Sequence, residues 1–275
     1  MNADELPKGA LDGLTVIDLT MMLAGPYAAM MLADQGARVI KIEPPDGDAS
    51  RRIGPYLEGG LMIEDGGYGA YFASIGRNKD SIVIDLKHEA GKQVLRRLVA
   101  RADVIMENFR SGVMERLGLS YEALAEINPR LVYAAVRGFG DPRSGESPYA
   151  SWPAYDPVSQ AMGGIMGITS TAKGGAPTKI GPGVGDIMPA MFLAFGIASA
   201  CWHAQRTGEG QFVDVAMVDG VLAVCERLVF QYSVTACRRA PKATTIRWFA
   251  LSACSPRRTD MSASACRRTS SGGRS

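Results

Sequence analysis

The order of apolar runs in this chain predicts an α/β fold: a Rossmann-like, mostly parallel sheet with flanking helices. Two observations carry the prediction. Short, nearly continuous apolar segments alternate with longer helical patterns through residues 1–234, as parallel strands covered on both faces require. Composition agrees, because 47% hydrophobic and 21% charged residues in a chain of 275 are ordinary for a globular protein. That length suits one large domain or two small ones, with a substantial core.

The first strand is LTVIDL, residues 14–19. A turn at Ala24-Gly25-Pro26 opens a helix, where proline in the first turn costs no hydrogen bond, and Gly36 ends it. Residues 37–43, ARVIKIE, form the second strand, and a long Gly- and Pro-rich loop then runs to about Asn78. Next come a strand at 81–86, a helix over 88–101 and a strand at 103–108. Two short helices follow, around 113–118 and 121–128, with Ser120 capping the second. Residues 131–138, LVYAAVRG, form another buried strand. Beyond it, 139–154 read as a polar loop, 155–166 as helix, and 167–185 as a second loop rich in Gly, Thr and Lys. A long apolar helix starts near Gly185-Asp186 and runs to Arg206. Thr207-Gly208-Glu209-Gly210 turns the chain into QFVDVAM, and a final helix starts near Asp219. No internal repeat is visible.

The N-terminal MNADELPKG carries two acids and no apolar stretch, so it does not read as a signal peptide. The longest uncharged run in the most apolar region, Ile187–Trp202, is interrupted by Pro189, Gly196 and Ser199. It falls short of the roughly 20 residues a bilayer crossing needs. A soluble, cytoplasmic protein with no membrane partner is expected.

Charge is distributed unevenly. Residues 235–275 hold eight arginines and one lysine against Asp260 alone, a net +8 in a chain whose formal charge is +2. Cys237, Cys254 and Cys266 also lie there, three of the five cysteines. A basic tail invites a nucleic-acid partner, but the arginines sit in pairs among Ser, Thr, Ala and Cys with no amphipathic spacing. A disordered arm, a disulfide or metal element, and out-of-frame translation of a GC-rich gene all account for it, the last best. The expected division is an α/β domain over 1–234 and an anomalous basic tail over 235–275.

Chemistry narrows by elimination. The two histidines, His88 and His203, each stand alone among polar neighbours. No HExxH, CxxC, GxSxG or Walker loop occurs, so metalloprotease, zinc-site, serine-hydrolase and P-loop chemistry lack support. Cys201 and Cys225 lie in apolar helical stretches, where buried thiols are inert. The opening strand–turn–helix–strand unit, followed by Glu43, has the outline of a dinucleotide site. Its turn reads LAGP, however, with one glycine where three are required, and Pro26 has no N–H for a phosphate.

The strongest candidate is GPGVGDIMPAM, residues 181–191. Three glycines in five residues allow close approach of a ligand, and their N–H groups can stabilise an oxyanion. They deliver Asp186 to the start of the long helix, whose dipole favours the ionised, nucleophilic carboxylate. A plain N-cap role for Asp186 is the alternative that spacing leaves open.

Six segments, taken in order, point further. They are residues 16–48 (VIDLTMMLAGPYAAMMLADQGARVIKIEPPDGD), 77–87 (RNKDSIVIDLK), 102–140 (ADVIMENFRSGVMERLGLSYEALAEINPRLVYAAVRGFG), 155–169 (YDPVSQAMGGIMGIT), 185–191 (GDIMPAM) and 207–217 (TGEGQFVDVAM). Together they resemble the family III CoA-transferases of the CaiB/BaiF type, almost continuously over residues 11–234. The resemblance implies exchange of CoA between an acyl-CoA and a free carboxylic acid through anhydride and thioester intermediates on an aspartate, matched here by Asp186. It implies no metal and no permanently bound cofactor, coenzyme A entering as part of the substrate, with acyl-CoA and a small carboxylic acid as partners.

Site positions carry over one at a time. The backbone of Met22, Leu23 and Ala24 matches the segment that receives the adenine end. Leu23 stands where the family often has glutamine, and Pro44 where some members have arginine, so a hydrogen bond and a charge are lost. Ile84 matches an apolar contact, and Asn108 and Phe109 match the ENF segment. Arg110 and Arg116 fit CoA phosphate positions, with a solvated face as the alternative for Arg110. Arg137 and Tyr155 match the pantetheine channel. The family's racemases have a His-Asp pair where this chain has Tyr155-Asp156. Without the imidazole, proton abstraction α to the thioester lacks its base, so transfer is preferred to racemisation.

Members of the family are longer. They have a second, smaller domain that is largely missing here, a glycine-rich loop over the aspartate in some cases, and interlocked homodimers. The likeness is expected to stop near Val234. A truncated or frameshifted chain, impaired in activity and in dimerisation, is therefore expected, with a non-catalytic CoA-binding module as the alternative.

Overall fold

Apolar runs rich in Val and Ile form six strands: β1 (Thr15–Asp18), β2 (Arg38–Glu43), β3 (Lys79–Val83), β4 (Val104–Glu107), β5 (Val132–Arg137) and β6 (Phe212–Ala216). The structure, a computed structural model, describes residues 9–56, 67–170 and 175–236. The basic tail beyond Ala236, with its three cysteines, lies outside the described residues. The strands form one sheet in the order β3-β2-β1-β4-β5-β6, and every pairing is parallel. The order reverses between β1 and β4. In such sheets the loops leaving the strand ends diverge at this point and open a crevice for a ligand.

Period-2 alternation sends neighbouring side chains to opposite layers. Val16, Val104 and Val132 join a core with α1 (Ala24–Asp34) and α7 (Val184–Thr207), through Ala28, Leu32, Leu193 and Ile197. Ile17, Ile105 and Tyr133 join the other, with α3 (Glu89–Val99), α4 (Val113–Arg116) and α5 (Tyr121–Ile127), through Leu95, Met114 and Leu124. Each such fully buried side chain contributes roughly 1.5–3 kcal/mol. Ser120 caps α5 as expected, its Oγ accepting the Ala123 N–H at 3.3 Å.

Helix α7 is longer than its uncharged run suggested. By length and composition it can cross a bilayer, so length does not exclude a membrane as the sequence reading held. It packs instead as a core helix, with Ala190, Leu193, Ile197, Ala200 and Ala204 buried against the sheet and α1.

Three expectations shift. The long loop after β2 contains a 3-10 turn at Ala49–Arg52 and a helix, α2 (Ala70–Gly76). This helix depends on tertiary contact, since Arg51 stacks over the Phe72 ring at 3.9 Å and Gly69 lies against the Ile53 carbonyl. Strand β3 begins at Lys79, two residues before the expected start, because Val39 pairs with Lys79. The last helix begins at Met217 and breaks at Cys225 into α8 (Met217–Val224) and α9 (Glu226–Thr235).

The early start of β3 brings Lys79 under the first helix. Its ammonium bonds the Pro26 carbonyl at 2.8 Å and pairs with Asp18 at 3.1 Å, both side chains being almost fully buried. Lys41 donates to the Thr20 carbonyl at 2.7 Å and pairs with Asp48 at 2.9 Å. Burial opposes ionisation of Asp18, but Lys79, Lys41 and the Thr20 bonds outweigh it and hold its carboxyl below the usual range. Removing one member of a buried pair strands the other. Lys79→Met is therefore expected to cost about 3 kcal/mol, read as a lower urea midpoint at pH 7.

Candidate active site

The C-terminal ends of β1 and β4 flank the crevice, and one side chain joins them. Asn108, just after β4, accepts the Met21 N–H at 2.8 Å and donates to the Met21 carbonyl at 2.7 Å. This holds the turn Met21-Met22-Leu23 in a conformation few side chains adopt, with Met22 at φ +69°. Across the crevice, the chain entering α7 approaches the same turn. A Cβ at Gly183 would lie 3.3 Å from the Leu23 side chain.

Gly183 is the N-cap of α7, and Asp186 is the third helical residue with no capping bond. The N-cap alternative for Asp186 is thereby removed. Gly185 is required for close packing, since a Cβ there would meet the Asp156 carbonyl at 2.6 Å. Its N–H is already taken, donating to Asp156 Oδ1 at 2.8 Å. The expected three-glycine oxyanion cradle thus reduces to the N–H groups of Gly181 and Gly183.

Asp156 is the first residue of α6 (Asp156–Met162) and is buried. Besides Gly185, it accepts from Gln160 Nε2 at 2.9 and 3.1 Å and pairs with Lys179 at 2.9 Å. Burial opposes its ionisation, but Gln160, Lys179 and the Gly185 N–H hold its carboxyl below the usual range. The Asp186 side chain, by contrast, makes no hydrogen bond or ion pair among the described residues. Burial, then the neighbouring Asp156 charge, push it up to about 6, with Lys179 opposing. The helix N-terminus was expected to favour the ionised form, but burial and a like charge win. The result is a carboxylate ionised at neutral pH yet more basic, and so more nucleophilic, than an exposed aspartate.

Sequence reasoning passed over four residues around Asp186. Asp156 entered only as the partner of a missing histidine, and Gln160 and Lys179 not at all. The i,i+4 spacing of Asp156 and Gln160 at a helix start was the available signal. Tyr71, on α2, is raised by burial and by the nearby Asp186 and Asp48 charges. Nothing local marked it, because α2 itself was not foreseen.

The family model for CoA-transferase family III matches residues 11–255. The chain belongs to CoA-transferase family III. The match runs past Val234 into the basic segment. A succinyl-CoA:mesaconate CoA-transferase of Haloarcula hispanica is 49% identical over 225 residues, covering 82% of this chain and 56% of that protein. An acetyl-CoA:oxalate CoA-transferase of Acetobacter aceti is 46% identical over 231 residues, covering 83% and 56%. The chain thus spans little more than half the length of these relatives. Among solved structures, a CaiB/BaiF family protein from Brucella suis has a TM-score of 0.79 and 38% identity, covering 86% of this chain and 60% of that one.

Within this family III fold, the positions singled out by sequence divide into three groups. Met22, Leu23, Pro44, Asn108, Phe109 and Arg110 lie in turns leaving the C-terminal ends of β1, β2 and β4, and Ala24 is the first residue of α1. Pro44 and Arg110 are exposed there, whereas Ala24 is buried. Arg110 and Arg116 are exposed, and among the described residues neither side chain is in an ion pair or hydrogen bond. The second group is spent on the fold. Ile84 is buried in the α3 core, and Arg137 is buried between Glu107 and Asp141, with its Nε donating to the Phe109 carbonyl at 3.2 Å. Arg137 therefore braces the Asn108-Phe109 turn from below. The third group is Tyr155 and Asp186, at the starts of α6 and α7. Tyr155 is exposed and is the N-cap residue of α6, next to Asp156.

Cys201 and Cys225 are buried, and burial pushes the Cys201 thiol up to about 12, which fits the expected inertness. His88 is exposed just ahead of α3, 3.6 Å from Asp85.

The raised Asp186 carboxyl has a cost for folding. Its value near 6 exceeds the ordinary 3.8, so ionisation weakens the fold above pH 6 and has no effect below about pH 4. Asp186→Asn should therefore stabilise the chain at pH 7 by up to about 3 kcal/mol. Urea titrations at several pH values should show this gain shrinking as pH falls from 6 to 4.

Proposed function

We propose that this chain serves the transfer of CoA from an acyl-CoA thioester to a free carboxylic acid, with Asp186 as the nucleophile. The observation that carries the reading is the Asp186 carboxylate itself: half-buried, without a hydrogen-bond partner, and raised to about 6 at the start of α7 beside the β1–β4 crevice. A structural carboxylate in such a place would be bonded, as Asp156 is.

In this reading, Asp186 attacks the thioester carbonyl. The C–S bond breaks, leaving a mixed aspartyl-acyl anhydride and CoA thiolate. The thiolate attacks the aspartyl carbonyl, releasing the donor acid and forming an aspartyl-CoA thioester. The acceptor carboxylate then attacks that thioester, forming a second anhydride and freeing the thiolate again. Attack of the thiolate on the acceptor's acyl carbon gives the new acyl-CoA and returns Asp186. Every intermediate is an anhydride or thioester of a carboxylic acid, so their energies are close and none becomes a trap. The free N–H groups of Gly181 and Gly183 are the candidate donors to the oxyanions.

For CoA, the turn Met22–Ala24 with Pro44 receives the adenosine end, and the unpaired Arg110 and Arg116 meet the phosphates. The relatives named above act, by their names, on succinyl-CoA, mesaconate, acetyl-CoA and oxalate. Short dicarboxylic acids are accordingly the proposed substrate class. The exposed apolar residues Phe192, Phe195 and Trp202 on α7 and Phe230 on α9 support assembly with a second copy of the chain.

Intact mass after incubation with a panel of acyl-CoAs tests the transfer, with hydroxylamine as trap and Asp186→Ala as control. A CoA-sized adduct or a hydroxamate on the wild type alone is expected. Without the trap, the rate of adduct formation should rise through about pH 6 and level off above it, because only the ionised carboxylate attacks. An equal adduct on Asp186→Ala, or none on either protein, would overturn the proposal.

A further inference from the structure

Among the described residues, three charged or titratable groups face the Asp186 carboxylate from the elements around it. Asp156 comes from α6, Lys179 from the segment ahead of α7, and Tyr71 from α2. Of these three, only Lys179 is cationic. Its ammonium pairs with Asp156 Oδ2 at 2.9 Å and donates to the carbonyls of Ile180 at 2.9 Å and Gly181 at 3.2 Å. Asp156 passes the connection on, through its Oδ1, to the N–H of Gly185 in the first turn of α7. Gln160 completes the clasp, its amide nitrogen donating to Asp156 and its oxygen accepting the Ile180 N–H at 2.9 Å.

We propose that Lys179 is a positioning residue for Asp186: its ammonium, tied to Asp156 and to the carbonyls leading into α7, offsets the like charge that Asp186 faces and keeps the attacking carboxylate available near neutral pH. The role goes beyond the proposed transfer, although its use in catalysis rests on that reading. Lys179 touches no reacting atom. It acts through Asp156, which keeps its Gln160 and Gly185 bonds without the lysine but would then confront Asp186 as a buried negative charge with no cation beside it. Two carboxylates sharing one site cannot both ionise readily. The lysine lets both exist as anions, one spent on structure and one free for chemistry.

The test reads Asp186 directly and does not need turnover. In the full chain labelled with 13C at the Asp carboxyl carbons, the Asp186 resonance is assigned by its loss in Asp186→Asn and then titrated. A wild-type midpoint near 6 is expected. Lys179→Met should move the midpoint upward by about one pH unit, whereas Lys179→Arg, which keeps the charge, should leave it in place. Asp156→Asn should move it downward, and Lys179→Gln, which also removes the charge, takes the place of Lys179→Met if that variant does not fold. An unchanged midpoint in Lys179→Met, an equal shift in Lys179→Arg, or no downward shift in Asp156→Asn would overturn the proposal. A failure of CoA transfer would show in the adduct experiment and leave this titration unaffected.

Discussion

The candidate site depends on one buried carboxylate, Asp156. It joins the start of α6, the Gln160 side chain, the Lys179 ammonium and the first turn of α7. Such a group is costly to desolvate, and it is tolerated because every bond it makes goes to a donor. Its second effect is electrostatic. By standing ionised beside Asp186 it raises the basicity of a carboxylate that has no partners of its own. One group thus fixes the first turn of α7 and, together with burial, raises the Asp186 carboxyl.

The same economy recurs along the C-terminal edge of the sheet. Lys79 and Lys41 bury their ammonium groups under the turn after β1, against Asp18 and Asp48. Glu43 binds Arg51 bidentately and accepts from Ser81, and despite burial these bonds hold it at about 2. Arg137 with Glu107 and Asp141 braces the turn after β4. Charges at the strand ends here serve to fix the loops beside the crevice. Rigid loops held from beneath suit the proposed transfer, whose covalent intermediates would have to stay aligned through several steps.

Much of the framework was legible locally. The strands around Val16, Val39, Ile105 and Ala134 announce themselves as apolar runs, and Ser120 announces the start of α5. The family likeness lies in ordered local segments as well, which is why it could be found without coordinates. Strand β3 and helix α2 were harder, for the same reason. Val83 is exposed on an edge strand and Lys79 is a strand residue with a buried charge, so hydropathy misplaces the strand. Helix α2 has seven residues and borrows its stability from Arg51.

The sequence by itself determined the α/β class, the order of elements and the placing of Asp186 at the head of a long apolar helix, because each is a property of neighbours along the chain. Tertiary structure decided what those residues do. It buried Arg137 and Ile84 in the fold and left the Arg110 and Arg116 side chains without partners among the described residues. It turned Asn108 to the Met21 backbone, 87 residues away, and Asp156 to Gly185, 29 residues away. Hydrogen bonds and desolvation depend on which groups meet in space, and a buried carboxylate takes its charge state from the neighbours that folding brings to it.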